Sequence, residues 1–246
     1  MDWITLHVLV VVFVATLIRS TLGFGEALVA VPLLALRLPV QVAAPLAVLV
    51  SITVAAIVMA QEWHRVHFRA AGWLAAWTML GIPLGLLMLK EVNGRTVKAT
   101  LGLVIIAFAL WSLLNRVPFT LNRDRHKWLF GFGLFAGVLG GAYGMNGPPL
   151  VVYGSLRRWS AAQFRATLQG YFLPASLAGM FGYWVAGLWV PAVTRFYLLS
   201  LPATIVATFL GRVLHARISP RAFFAYVYLG LLAIGLVLLA QAFGAQ

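Results

Sequence analysis

The sequence predicts an all-α protein that threads a membrane many times and is built from two repeats, and three observations carry that reading. Hydrophobic residues make up 63% of the 246 and charged residues only 9%, against about 25% charged in an ordinary soluble domain. Apolar runs near the length of a membrane span recur from one end of the chain to the other. A glycine-rich motif occurs twice, half a chain apart.

The elements follow in order. Trp3 to Ile18 is apolar, has no Lys or Arg before it and feeds straight into a glycine motif. A cleaved signal peptide wants a basic start and a small-residue cleavage site, so this stretch is read as a retained helix. A short piece follows the motif, Ala27 to Leu36, and then come the charge-free runs Leu38 to Gln61, Ala70 to Leu89 and Ala99 to Asn115. The linker Arg116 to Lys127 carries Arg116, Arg123, Arg125 and Lys127. Beyond it lie Trp128 to Leu156, Ala166 to Thr194, Phe196 to Gly211 and Ala222 to Gln246. A helix needs about 20 mostly apolar residues to cross the hydrocarbon core. The short pieces Ala27 to Leu36 and Pro148 to Leu156 fall below that. The expected organisation is a first membrane repeat over 1–115, a basic cytoplasmic linker over 116–127 and a second repeat over 128–246, with roughly eight to ten membrane segments in all.

The repeat is visible residue by residue. Ser20-Thr21-Leu22-Gly23-Phe24-Gly25-Glu26-Ala27-Leu28 has a counterpart in Gly141-Ala142-Tyr143-Gly144-Met145-Asn146-Gly147-Pro148-Pro149, at an offset of 121 that also sets Arg37 on Arg158. Gly85 with Arg95 resembles Gly211 with Arg221 at an offset of 126. Each half then reads as a first helix, a glycine break, a short apolar piece and three longer helices.

The net charge of +13 does not point to nucleic acid, because the Lys and Arg sit mainly in the short gaps between apolar runs, as the positive-inside rule expects. That rule puts the basic linker in the cytoplasm, and both chain ends, which lack Lys and Arg, outside. Each half then crosses an odd number of times and the two repeats are inverted. The loop with Lys90, Arg95 and Lys98 is the misfit. If the short pieces re-enter instead of crossing, the repeats are parallel.

Backbone groups cannot go unpaired in lipid, so a broken helix is tolerated only inside protein or against water. Paired broken helices in inverted repeats are a recurrent transporter plan with substrate at the midplane. Half-helix N-termini suit an anion, glycines allow close approach of the backbone, and Pro148 and Pro149 fit the opening turn of a half-helix. The plain alternative is that the glycines serve helix packing.

Gly23-Phe24-Gly25 followed by Val31-Pro32-Leu33-Leu34, with a second glycine motif half a chain later, resembles the sulfite exporter TauE/SafE family, also called the four-toluene sulfonate uptake permeases. The resemblance runs over about residues 5 to 243. It implies a multi-pass secondary transporter of the bacterial cytoplasmic membrane for sulfite, sulfonates or sulfoacetate, coupled to protons. The chain departs from the family's glycine cluster: Glu26 follows Gly25, and the second copy reads Gly144-Met145-Asn146-Gly147.

The candidate substrate-binding residues are Arg19, Ser20, Thr21, Gly23, Phe24 and Gly25 at the first break, and Gly144, Asn146, Gly147 and Pro148 at the second. Tyr153, Arg165 and Gln169 complete the set. Arg165 and Gln169 share a helix face, and a guanidinium fork suits a sulfonate; an interfacial Arg snorkelling to lipid phosphate is the competing reading of Arg165. Glu26 is the one acidic residue in a predicted intramembrane motif. It is either a proton carrier or a helix cap paired with Arg19. His64 and His67 lie in a basic loop and are read as surface residues. Expected partners are a small anion, protons and lipid, with a homodimer left open, and no cofactor, metal or nucleic acid. An enzyme is not expected, since the apolar stretches offer neither a Ser–His pair nor clustered carboxylates. An anion channel, or a transporter of small carboxylates using the same site, is the alternative function. There are no cysteines, so disulfides and thiolate metal sites are excluded.

Overall fold

The computed structural model describes residues 2–62, 68–114, 121, 126–157, 159, 161–215 and 220–244. Within them the regular structure is helical throughout: α1 (Trp3–Leu22), α2 (Glu26–Ala35), α3 (Val40–Glu62), α4 (Phe68–Glu91), α5 (Gly94–Leu114), α6 (His126–Tyr143), α7 (Gly147–Leu156), α8 (Ala161–Val185), α9 (Pro191–His215) and α10 (Pro220–Phe243). The short pieces read from sequence are α2 and α7. His64, His67, Asp124, Arg158 and most of the basic linker lie outside the described residues.

Among the described residues, α1, α3, α4, α5 and α9 are long and apolar enough to cross a membrane. The sequence led us to expect more. α6 misses the mark for a physical reason: it opens on His126-Lys127-Trp128 and carries Gly131, Gly133, Gly137, Gly140 and Gly141, giving up apolar side chains for close packing. The leading side chains of α8 and α10 are not described. The face the bundle turns outward is apolar, with Leu80, Leu84, Leu87, Phe181, Val206 and Phe209 all exposed, as lipid contact requires.

Each half begins with a helix that stops at a left-handed glycine. Gly23 (φ 87°) ends α1, its N–H donating to Arg19 O at 2.6 Å. Gly144 (φ 67°) ends α6, its N–H donating to Gly140 O at 2.8 Å. These are the paired positions of the repeat, and L side chains rarely adopt such backbone. At the other end of α1, Asp2 caps the helix by accepting from Thr5 N at 3.0 Å. Thr5, through its side chain first and its backbone N–H second, holds the Asp2 carboxyl below the usual range.

After Gly25, α2 turns back alongside α1. His7 Nε2 donates to Leu33 O at 3.1 Å, and the Arg37 guanidinium lies 5.9 Å from the Trp3 ring centre. The hairpin therefore returns to the end where it began. Gln41 Nε2 reaches Leu89 O (3.4 Å) and Lys98 Nζ reaches Gln241 Oε1 (3.2 Å), so both chain ends sit with the α4–α5 turn at one end of the bundle. At the other end Leu121 N donates to Leu156 O, Arg157 Nη1 donates to Leu121 O, and His126 meets Trp73.

The tightest helix pairs are α4 with α6, α1 with α9 and α5 with α10. Exchanging the two halves maps this set onto itself. The equivalent helices α5 and α10 run antiparallel: Lys98 meets Gln241, Gly102 faces Gly235 and Leu239, and Phe108 meets Tyr228. The α4–α6 pair is backbone against backbone. A Cβ on Gly81 would lie 2.2 Å from Leu134 O, on Gly85 2.1 Å from Val138 O, and on Gly141 2.3 Å from Ile82 O. Small residues set such contacts in membranes, where no hydrophobic force draws helices together.

This packing gives a direct test. Gly85→Ala should lower thermal stability in detergent by about 2 kcal/mol or more, because one methyl must displace main chain. Gly179→Ala, where nothing lies within 4 Å of the added carbon, should be neutral. Equal unfolding midpoints for the two variants would mean the α4–α6 contact is not rigid.

Candidate functional site at the two helix breaks

The glycine stops bring two chain reversals together in the middle of the bundle. Arg19, on the last turn of α1, faces back toward α2 and is 2% exposed. Its Nη1 donates both to Glu26 Oε2 and to Ser51 Oγ, the latter at 2.6 Å. Thr16, one turn earlier on α1, donates to the other carboxylate oxygen, Glu26 Oε1, at 3.3 Å. Thus two residues three apart on one helix face hold both oxygens. Glu26 is itself 2% exposed and is the first residue of α2. The ring of Phe172 on α8 lies 5.0 Å from the guanidinium carbon, a cation–π contact. Ser51 shares a further hydrogen bond with Ser176 of α8 at 3.4 Å. Since Ser51 is the midpoint of α3, the cluster lies halfway along a spanning helix.

The other half of Arg19 is unsatisfied. Nε and Nη2 are buried and have no hydrogen-bond partner among the described residues. The start of α2 adds more donors. Gly25 caps it with φ 98° and no side-chain hydrogen bond, and the first N–H to find a helical acceptor is that of Val29, on Gly25 O. The N–H groups of Glu26, Ala27 and Leu28 are the orphans of a helix N-terminus. The matching end of α7 differs, because Pro148 and Pro149 have no N–H to give. Asn146 instead packs its amide on α6, where only a glycine fits: a Cβ at Gly140 would lie 2.9 Å from Asn146 Oδ1.

Between the breaks is a cavity of about 20 Å³, room for roughly one water. It is lined by Arg19, Phe24, Gly25 and Glu26 from the first break and by Gly144, Asn146, Gly147 and Pro148 from the second, with Ser51 and Phe172 from α3 and α8. In this conformation the pocket is closed to any ion of several heavy atoms.

A family pattern described as "Sulfite exporter TauE/SafE" matches residues 8–238. The chain belongs to that family. Members are membrane transporters, and the chain is accordingly a multi-pass protein of the bacterial cytoplasmic membrane. It is similar to a protein of Cupriavidus necator named "Probable sulfite/organosulfonate exporter TauE", 25% identical over 211 residues that cover 84% of this chain and 82% of the other. No solved structure matches.

The remaining candidates fall elsewhere. Gly23 lies in the break, its carbonyl accepting from Gln169 Nε2 at 3.3 Å, so Gln169 ties α8 to the first break from beside the cavity. Ser20 and Thr21 face α9: a Cβ at Gly211 would lie 2.5 Å from Ser20 Cβ, and Thr21 Oγ1 donates to Gly211 O at 3.4 Å. Tyr153 is buried between Phe132 and Trp159, with ring centres 5.4 and 5.5 Å away. Arg165 is on α8, and its side chain is outside the described residues. Sequence reasoning missed Ser51 and Phe172. Ser51 and Ser176 lie 125 apart in sequence, close to the offsets of 121 and 126 that relate the glycine motifs.

Removing one member of a buried ion pair strands the other charge. Arg19→Leu should therefore cost about 3–5 kcal/mol, and Arg19→Leu with Glu26→Leu should recover most of that loss. Thermal unfolding of both in the same detergent checks this; additive losses would mean that the pair is not coupled.

Proposed function

We propose that this chain is a proton-coupled secondary transporter that carries a sulfite- or sulfonate-type anion, bound between the two helix breaks. The observation that carries the reading is Arg19, a buried guanidinium with one edge unpaired, beside three orphan N–H groups and a cavity at mid-depth. A guanidinium edge presents two parallel donors that match two oxygens of an SO3 group. The relative from Cupriavidus necator, named for sulfite and organosulfonate, supports the same substrate class. Anion capture falls mainly on the first break, because the prolines of α7 leave the second with few donors. There Gly144, Gly147 and Asn146 supply shape. Glu26, the acidic partner of Arg19, is the proton carrier.

A cavity of about 20 Å³ is too small for such an anion, so loading it requires the breaks to move apart, as alternating access would have them do. The antiparallel packing of α5 on α10 supports inverted repeats, since parallel repeats would run equivalent helices the same way. So does charge. The end with the chain termini has Arg37, Lys90, Arg95, Lys98 and Arg195, while the segments joining helices at the other end carry the greater share of Lys and Arg.

Reconstituted vesicles test the transport reading. Arg19→Ala should weaken sulfonate binding by about 30-fold or more, as expected for loss of a buried charged partner, and should abolish counter-transport. Unaltered exchange in a folded variant, or unitary currents in the parent, would overturn it. The absence of native cysteine makes topology equally accessible. A cysteine at Asn93 should label only from outside and one at Asn122 only from the cytoplasm; labelling from the same side would leave parallel repeats.

A further inference from the structure

Arg19 and Glu26 are the only charged residues that are buried among the described residues, and at rest they cancel. Glu26 occupies Nη1, together with Ser51. Nε and Nη2, the opposite edge of the same guanidinium, are unpartnered. An anion has a docking edge that does not require Glu26 to leave. Its arrival changes the charge of the cluster, however, from zero to minus one in a closed, poorly hydrated space, and an uncompensated buried charge is costly.

We propose that Arg19, Glu26 and the bound anion form a charge-neutral triad, so that the site takes one proton onto Glu26 for each monoanion it binds and rejects dianions. This rests on the reading that the anion docks at Arg19. The balance is simple. At rest the cluster is guanidinium plus carboxylate. With a monoanion R–SO3⁻ and one proton from water it becomes guanidinium, carboxylic acid and sulfonate, again neutral. No bond other than O–H forms. A dianion would leave one negative charge even after Glu26 is protonated. The substrate class is therefore the singly charged form: a sulfonate, or hydrogen sulfite rather than sulfite.

Among the described residues, no second charge stands close enough to share the compensation. On α1, Thr16 bonds Glu26 and His7 lies at Leu33, toward the chain-terminal end. α3 contributes Ser51, with Glu62 at its far end; α7, which Asn146 precedes, has no charged residue. On α5, Arg95 and Lys98 are at the opening turn, and Lys98 is engaged with Gln241. On α9, Arg195 and Arg212 are both exposed. On α10, Arg221 is the charged residue, near the opposite end of that helix, and its side chain is not described. On α8, Phe172 covers the Arg19 face; Arg165, whose side chain is not described, is in the helix's first turns, well before Phe172 in sequence.

The test uses methanesulfonate, which stays a monoanion throughout the accessible pH range, so any proton taken up lands on protein. Calorimetric titration of the purified full-length protein in buffers of different ionisation enthalpy, between about pH 6 and pH 8, should show about one proton taken up per anion bound, with affinity falling about tenfold per pH unit. Glu26→Gln should bind methanesulfonate with no proton uptake and with affinity independent of pH. Sulfate should not compete in either protein. Acetate binding with the same proton count would support the triad while widening the class to carboxylates. Proton-free binding by the parent, equal competition by sulfate, or proton uptake that survives in Glu26→Gln would overturn the triad and leave the Arg19 site standing. No methanesulfonate binding by the parent at any pH would remove the site itself, and the triad with it. The parent's own proton count decides the matter even if Glu26→Gln fails to fold.

Discussion

A helix that ends inside the bundle, level with the middle of a spanning helix, leaves N–H and C=O groups with no water to take them, and the fold is arranged around that constraint. It happens twice here, at Gly23 and at Gly144. The two stops are placed together in the interior, so that each is walled off from lipid by spanning helices. Gln169 reaches across to the Gly23 carbonyl; Tyr183 Oη donates to Gly140 O at 2.9 Å, one turn before the second stop. The first break has its orphan donors beside a charged pair. In the second, proline removes donors altogether. The same problem has two solutions in the two halves, and only the first leaves N–H donors beside a buried guanidinium.

The halves also differ in how their first helices are held. α6 lies on α4 through Gly133, Gly137 and Gly141, and a Cβ at Gly137 or Gly141 would lie 2.2 or 2.3 Å from a carbonyl oxygen of α4. α1 lies on α9 through Gly211, where a Cβ would lie 2.5 Å from Ser20 Cβ, 2.9 Å from Leu17 O and 3.1 Å from Thr21 N. Interlocked backbones do not slide by small steps, because each step meets a carbonyl. The α1–α9 seam, on the side that carries Arg19, has one such glycine among the described residues, where α4–α6 has several.

The helix inventory was readable in advance because lipid imposes it: only a span through hydrocarbon calls for run after run of about 20 residues free of charge. The short helices were readable too, since α2 and α7 each begin one residue before the proposed piece. The glycine motifs hold three positions of positive φ, Gly23, Gly25 and Gly144. Side-chain roles were harder. Ser20 and Thr21 neighbour Arg19 in sequence, yet a helix turns successive residues to different faces, so they meet α9 while Arg19 meets the cavity. Tyr153 lies too far along α7 to reach the break. Ser51 and Phe172 have no local signature: each sits in an apolar run, and only the approach of α3 and α8 gives it a role.

The acidic partner is what makes a buried arginine workable. Alone, a guanidinium at this depth would cost several kcal/mol and would hold an anion too firmly to let it go. With Glu26 on Nη1 the empty site is already neutral, so emptying it exposes no bare charge. A transporter must be stable both loaded and empty, and on the reading proposed above a proton moving on and off Glu26 would reconcile the two. Glycine at position 26 would supply closer backbone approach but no such compensation. On the proposed reading, Glu26 after Gly25 thus gives up some room at the helix start for a group that would follow the charge of the cargo.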